Sequence, residues 1–455
     1  MKALPLALIL GASLLVKVGL CLLVSREDPM RCMAPDSMGY VASAEALLKT
    51  GTFSVSPERG DMPQTVRTPG YPIFLAVIFA CCGKNLAAVV LTQIVLSLLT
   101  IVLTWHVARR AFGGRVGALS ALLIALDLNS LSYTNMILTE TLFTLVLLAF
   151  LAIAVHLDSD QQTRRAFAAL AGGLVLAVAT HIRPIGYFLP LVVMVAMSAL
   201  GWRRKWGVKV LVGQGLLLIL PSVILVGGWQ VRNHRLTGSS EFSQMVGFGA
   251  LDSTGVHIVA QRDGVSLEEA RKRLGLAGST ERFLSHPEEH WGERWKRQYI
   301  ELIRENPWIC VKVQLTGAAR TLAGPGATQL LNLLGIPMGS SKTPDYCLGI
   351  VPTFYPAELA RLPWAGRMIM MWAGVYLGIL YFGIAVFLWM ALTKRTDEKW
   401  ILFLMLILVA YFLFLGGGGA YSRFRVPIAP VLAIASAVGM GWYRHRGFTG
   451  CVATQ

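Results

Sequence analysis

The sequence predicts an all-α polytopic membrane protein, a bundle of about ten to twelve transmembrane helices with extracytoplasmic loops. Three observations carry that expectation. Of 455 residues, 55% are hydrophobic and only 15% charged, where a soluble chain would carry about a quarter. The mean hydropathy of +0.59 comes from repeated apolar runs of membrane-spanning length. The basic residues gather at alternate ends of those runs, as in chains oriented by the positive-inside rule. A formal net charge of +16 would suggest nucleic acid in a soluble chain; here loop charges that set topology are the better account, and no nucleic-acid partner is expected.

Residues 3–24 follow Lys2 and are apolar apart from Lys17, with no small-x-small cleavage site before Arg26, so they read as a retained first helix. Residues 71–82 are a shorter apolar run containing Pro72 and read as a partial or interfacial segment. Spanning runs follow at 86–107, 116–134, 138–157, 166–182, 185–201, 208–229, 368–392, 400–418 and 427–443. With Lys2 inside, the inner loops hold fifteen basic residues, among them Arg109, Arg110, Arg115, Arg164, Arg165 and Arg203, against four acids. The outer face then receives a first loop, 25–85, and a long segment, 230–367. This divides the chain into an N-terminal membrane module (1–229), the extracytoplasmic or interfacial segment (230–367) and C-terminal membrane helices (368–455). Within the long segment Trp291, Trp295 and Tyr299 recur at i, i+4 and i+8, the pattern of a helix lying at the lipid interface. Residues 308–323 read as re-entrant or as one of a further pair of crossings.

Seven cysteines form no paired framework; Cys32, Cys310 and Cys347 fall in loops where one disulfide is conceivable, and no pair has metal-ligand spacing. His286-Pro-Glu-Glu-His290 fits a zinc-protease pattern, but Pro287 and two glutamates also suit the start of a helix. Asp158-Ser-Asp160 reads as a solvated inner loop. No metal is therefore expected.

The informative residues lie on the outer face. Pro35-Asp36-Ser-Met-Gly-Tyr40 opens a helix reaching about Lys49 and stopped by Gly51, with Asp36 as its N-cap or as a carboxylate that takes a proton from a hydroxyl. Val66-Arg67-Thr-Pro-Gly-Tyr71-Pro makes a non-helical entry to the membrane that could hold Arg67 at headgroup height. Glu140 lies in the first turn of an outer-to-inner helix, where an ionisable group is costly and suspect. Arg183, Arg232, Arg423 and Arg425 each stand beside a Pro or Gly break at the outer end of a helix, against the inside rule. Arginines so placed suggest an anionic partner, and phosphate suits the guanidinium fork.

In this order, Asp36 with Tyr40, Arg67-Thr-Pro-Gly-Tyr71-Pro, Thr139-Glu140, Trp229-x-x-Arg232-Asn233, Glu305-Asn-Pro307 and Arg423-Phe-Arg425-x-Pro427 resemble the GT-C glycosyltransferases. Within these the chain is similar, over about residues 1–430, to the dolichyl-phosphate-mannose protein mannosyltransferases and the lipid A aminoarabinose transferase. The resemblance implies an inverting transfer, without metal or cofactor, of a single sugar from a polyprenyl-phosphate donor to an extracytoplasmic glycolipid, polysaccharide or protein. It aligns Asp36 with the catalytic acid of the first loop and Glu140 with a second acidic position. Arg67, Arg183, Arg423 and Arg425 become candidate phosphate ligands, and Tyr40, Tyr71, Arg232 and Asn233 candidate substrate-site residues. Two departures matter: Arg67 stands where the aminoarabinose transferase has Lys, and Ser37 follows Asp36 where protein mannosyltransferases have an acidic pair. The expected setting is a membrane, with a bacterial inner membrane suggested and the reaction at its extracytoplasmic face. The alternatives are a lipid-linked glycan transporter or flippase, and a ligase or polymerase using a diphosphate donor. A transporter predicts ionisable groups at helix midpoints, and Lys17 and Asp127 are the main such residues.

Overall fold

A computed structural model describes residues 4–276, 291–336, 360–393 and 400–449, with side chains to residue 441. Among the described residues eight helices are long and apolar enough to cross a membrane, or nine if one bent pair is counted as a span. The first is α1 (Leu4–Glu27), followed by two shorter helices, α2 (Pro35–Thr50) and α3 (Gly70–Cys82). Next come α4 (Leu86–Phe112), the pair α5 (Gly114–Leu126) and α6 (Leu128–Thr134), α7 (Glu140–Ala154), α8 (Gln162–Ile182), α9 (Leu189–Arg203) and α10 (Val208–Thr237). Beyond the long extramembrane segment lie α17 (Trp364–Leu392), α18 (Trp400–Leu415) and α19 (Ala429–Thr449).

The spanning runs expected from the sequence are helical over most of their length; 400–418 stops at Leu415, 185–201 turns at 187–188, and 116–134 breaks sharply. There α5 and α6 bend by 61° at Asp127, whose carboxylate caps α6 through Asn129 N at 3.3 Å and Ser130 N at 3.2 Å. A short acidic side chain offers the backbone an alternative partner, so Asp127 starts a new helix instead of continuing the old one. At sixteen residues α18 spans roughly 24 Å, short of a ~30 Å hydrocarbon layer. Lys17, fully buried on α1, donates to Thr134 Oγ1 at 3.3 Å and ties the first helix to the end of α6. Two of the basic loops adjoin: Arg204 pairs with Asp158 at 2.8 Å and with Asp160 at 3.8 Å, and Arg165 lies 4.6 Å from the Trp206 ring.

The extramembrane segment folds into small helices: α11 (Met245–Ala250), a π-turn (Leu251–Gly255), α12 (Val256–Asp263), α13 (Leu267–Arg273), α14 (Trp291–Glu305), α15 (Pro307–Ala323) and α16 (Thr328–Leu333). Here the structure corrects the expectation of a lipid-facing aromatic stripe. Trp295 is 3% exposed, stacks on Trp291 at 5.6 Å and meets Phe248 at 5.1 Å, inside a core shared with Leu251, Val256 and Leu302. The i, i+4, i+8 spacing marks an apolar face but does not say what covers it. Residues 308–323 lie in one 17-residue helix, Pro307–Ala323, too short to be among the membrane-length spans, and its buried Arg320 donates to Gly418 O at 3.0 Å.

The run Gly416 to Gly419 has a packing reason. A Cβ on Gly317 of α15 would strike Gly417 O, and one on Gly418 would strike Val313, while Gly417 takes φ +74. Gly418 N donates to Thr254 Oγ1 at 3.1 Å. The glycines thus let the extramembrane helices press against the loop that leads to Arg423. Cys32 and Cys310 are free thiols. Cys347 and the His286 to His290 pattern lie outside the described residues.

Candidate active site

Five charged side chains from five segments meet at one end of the bundle. Asp36 lies in the first turn of α2, but it is not the cap the sequence suggested. Ser37 Oγ accepts from Ala34 N at 2.9 Å and donates to Ile137 O at 2.7 Å, which leaves the Asp36 carboxylate free to point elsewhere. Its Oδ1 accepts from Arg67 Nη2 at 3.0 Å and its Oδ2 from Arg423 Nη1 at 3.0 Å. Arg423 reaches across to Glu140 Oε1 through Nε, and Arg183 Nη1 binds the same oxygen at 2.6 Å. The order is Arg67, Asp36, Arg423, Glu140, Arg183, with Arg423 joining both carboxylates. Three guanidiniums against two carboxylates leave one formal positive charge.

Local sequence explains how each group is delivered. Gly51 ends α2 at φ +70, as expected from its sequence, with its N–H donating to Leu47 O at 3.1 Å. Arg67 sits in a turn held by Gln64, whose Oε1 accepts from Val66 N at 2.9 Å and Arg67 N at 3.0 Å. Gly70 lets that turn close on the end of α8: a Cβ there would lie 2.8 Å from the backbone of His181 and Ile182. Pro184 ends α8 and leaves Arg183 extended, with φ −147, so that its side chain turns to Glu140. Glu140 is the first residue of α7 and is fully buried; its Oε2 has no hydrogen-bond partner.

Burial raises the proton affinity of the Asp36 carboxyl, but Arg67 and Arg423 outweigh it and hold it well below the usual carboxylate range. The group is therefore a fixed anion at neutral pH, and its side chain keeps 35% of its exposure.

The remaining expected site residues fall in other places. Arg425, an expected phosphate ligand, is 1% exposed, and its Nη1 donates to the carbonyls of Thr321, Leu322 and Gly324 at 3.1, 2.8 and 2.6 Å. Those are the orphan carbonyls at the end of α15, so Arg425 is occupied as a helix cap. Arg232 donates to Gln64 O at 2.8 Å and Phe53 O at 3.0 Å, and Asn233 Nδ2 to Glu241 O at 2.8 Å, so both fasten loops at the rim. The Tyr40 ring carries the Arg67 guanidinium at 4.8 Å. Tyr71 is buried and donates to Gln93 Oε1 at 2.8 Å; Gln93 in turn donates to Thr134 O and Met136 O and holds the turn before Glu140. Gln64 and Gln93 were not singled out from the sequence. Gln93 carried a signal, since it is an amide inside an apolar spanning run.

Residues 66–229 match the family described as dolichyl-phosphate-mannose-protein mannosyltransferase. Among solved structures, the apo oligosaccharyltransferase of Archaeoglobus fulgidus superposes at a TM-score of 0.53 with 14% identity, over 100% of this chain and 53% of that one. The same archaeal enzyme in complex with an inhibitory peptide and a dolichol-phosphate gives 0.51 with 13% identity, over 99% and 52%. The chain shares the fold of these archaeal structures. ArnT of Cupriavidus metallidurans bound to undecaprenyl phosphate is also similar, at 16% identity, 97% and 79% coverage and a TM-score of 0.41. No curated protein sequence matches the chain. The chain spans about half the length of the archaeal oligosaccharyltransferase.

Proposed function

We propose that the protein is an integral membrane glycosyltransferase that moves one sugar from a polyprenyl-phosphate donor to an extracytoplasmic acceptor, with inversion at the anomeric carbon. The observation that carries this reading is Arg423, which holds Asp36 and Glu140 together between Arg67 and Arg183. A base and a cationic phosphate cradle are what this reaction needs. Asp36 takes the proton of the acceptor hydroxyl as its oxygen forms a bond to the anomeric carbon. The carbon–oxygen bond to phosphate breaks, and its electron pair leaves with the polyprenyl phosphate, so no general acid is required. A carboxylate this weak accepts the proton late, once bond formation has made the attacking oxygen acidic. Arg67, Arg423 and Arg183 hold the leaving phosphate; Glu140 keeps Arg423 and Arg183 in place and offers Oε2 to the acceptor. One excess positive charge suits the single negative charge of a phosphodiester donor. The dolichol-phosphate named with the archaeal enzyme is a ligand of this class.

That neighbour is an oligosaccharyltransferase, which favours a second reading, transfer of a whole glycan. Product mass distinguishes the two. Purified protein, a polyprenyl-phosphate sugar and an acceptor extract should give a product heavier by one sugar, of opposite anomeric configuration, and Asp36→Asn should abolish it. A folded Asp36→Asn protein with full transfer would refute the base assignment.

A further inference from the structure

A cavity of about 410 Å³ lies at the same end of the bundle, between the end of α1, the turn Pro29–Cys32 and the start of α4. It is within the size range of small-molecule sites. Cys21, Val24, Ala87 and Val90 give it an apolar wall from two spanning helices, and Lys84, Asn85 and Asn135 a polar one. Asn135 is 1% exposed; its Nδ2 donates to Leu131 O at 3.1 Å, and its Oδ1 is buried with no partner. A buried amide oxygen left unpaired is costly, so something that donates a hydrogen bond belongs there. At the opposite side Asn85 caps α4 through Ala88 N at 3.1 Å, which leaves the amides of Leu86 and Ala87 at the positive end of a 27-residue helix, next to the Lys84 ammonium. Lys84 is paired with Glu45, so this end offers a dipole and a shared ammonium instead of a free cation.

We propose that this cavity binds the headgroup of a glycerophospholipid that carries a hydrogen-bond donor, an ammonium or a hydroxyl. The phosphate lies at the start of α4 beside Lys84, the donor reaches Asn135 Oδ1, and the acyl chains descend along α1 and α4. The position matters to the reaction site. Ile137 N donates to Cys32 O at 2.9 Å, so the cavity borders the seam between the turn before Glu140 and the turn before Asp36. A lipid seated there braces the two segments that bring the carboxylates together, and it is distinct from the donor held by the arginines. This inference uses no part of the transferase reading, and lipid retention reads it without turnover.

The test is native mass spectrometry of the full-length protein exchanged into vesicles of phosphatidylethanolamine, phosphatidylglycerol or phosphatidylcholine, the last of which has no headgroup donor. Phosphatidylethanolamine or phosphatidylglycerol should be retained about tenfold over phosphatidylcholine, the ratio expected of one buried hydrogen bond. Ala87→Trp, which fills the cavity and leaves Asn135 intact, should lose the retained lipid. Asn135→Leu should keep lipid but lose the preference. Equal retention of all three lipids by the wild type, unchanged retention by Ala87→Trp, or an unchanged preference in Asn135→Leu overturns the proposal.

Discussion

Asp36 and Arg425 illustrate how little a residue type says before its partners are known. Both are charged side chains near a membrane surface; one ends between two arginines, the other under three carbonyls. Their substitutions should differ accordingly. Arg425→Met removes the cap of α15 and leaves buried carbonyls unpaired, so it should lower stability by about 3 kcal/mol, read by thermal unfolding in detergent. Arg423→Ala leaves Asp36 with Arg67 alone and the buried Glu140 with Arg183 alone, which should cost about 3 kcal/mol of stability as well as donor affinity. Arg423→Lys keeps the charge and separates the two effects: the fold should survive while donor binding weakens more than acceptor binding. The pH dependence follows from the depressed Asp36 carboxyl. A carboxylate with a lowered folded-state pKa stabilises the fold above its unfolded value and loses that contribution as pH falls through the folded one. No acid limb from Asp36 should therefore appear between pH 5 and 8. Arg67→Gln removes one of its two cations and should move that limb upward, as a pH–rate profile would show.

At the scale of elements, the site depends on close approaches that only glycine permits. Gly70 brings the Arg67 turn against the end of α8, and the Gly416 to Gly419 loop brings the segment before Arg423 against α12 and α15. Gly70→Ala should cost about 1–3 kcal/mol through overpacking and should also reduce transfer, because it pushes Arg67 away from the end of α8 that carries Arg183. Transfer that is undiminished in a folded Gly70→Ala protein would count against this positioning. The break at Asp127 belongs here too. A discontinuous helix is a feature expected of transporters, yet both oxygens of Asp127 are used as a cap for α6, and Lys17 binds Thr134 at the other end of the same short helix. Together they fix the turn that leads to Glu140.

For the whole molecule, the alternation of basic loops predicts that the two faces are chemically opposite, and this is testable with the cysteines already present. Cys81 and Cys82 are exposed at the C-terminal end of α3 and should react with a membrane-impermeant maleimide applied to intact cells, while Lys205→Cys should not. Much of this architecture was legible in the sequence, because hydropathy and loop charge are local properties summed over twenty residues. The spans and the face shared by Asp36, Arg67, Glu140, Arg183 and Arg423 follow from such sums, and the stop at Gly51 follows from the one residue type that takes a left-handed turn freely. What covers a helix is not local, so the aromatic face of α14 was assigned to lipid when it packs on α11 and the π-turn Leu251–Gly255. Partner choice is less local still. Asp36 and Arg423 are separated by 387 positions, and nothing in either segment says that one arginine bridges two carboxylates while its neighbour two residues on caps a helix. The sequence by itself determined a membrane bundle with cations misplaced to one face, since the cost of burying charge restricts where such residues occur. Only the tertiary structure decided which of those cations meet the carboxylates, because an ion pair is fixed by distances between helices that close packing sets.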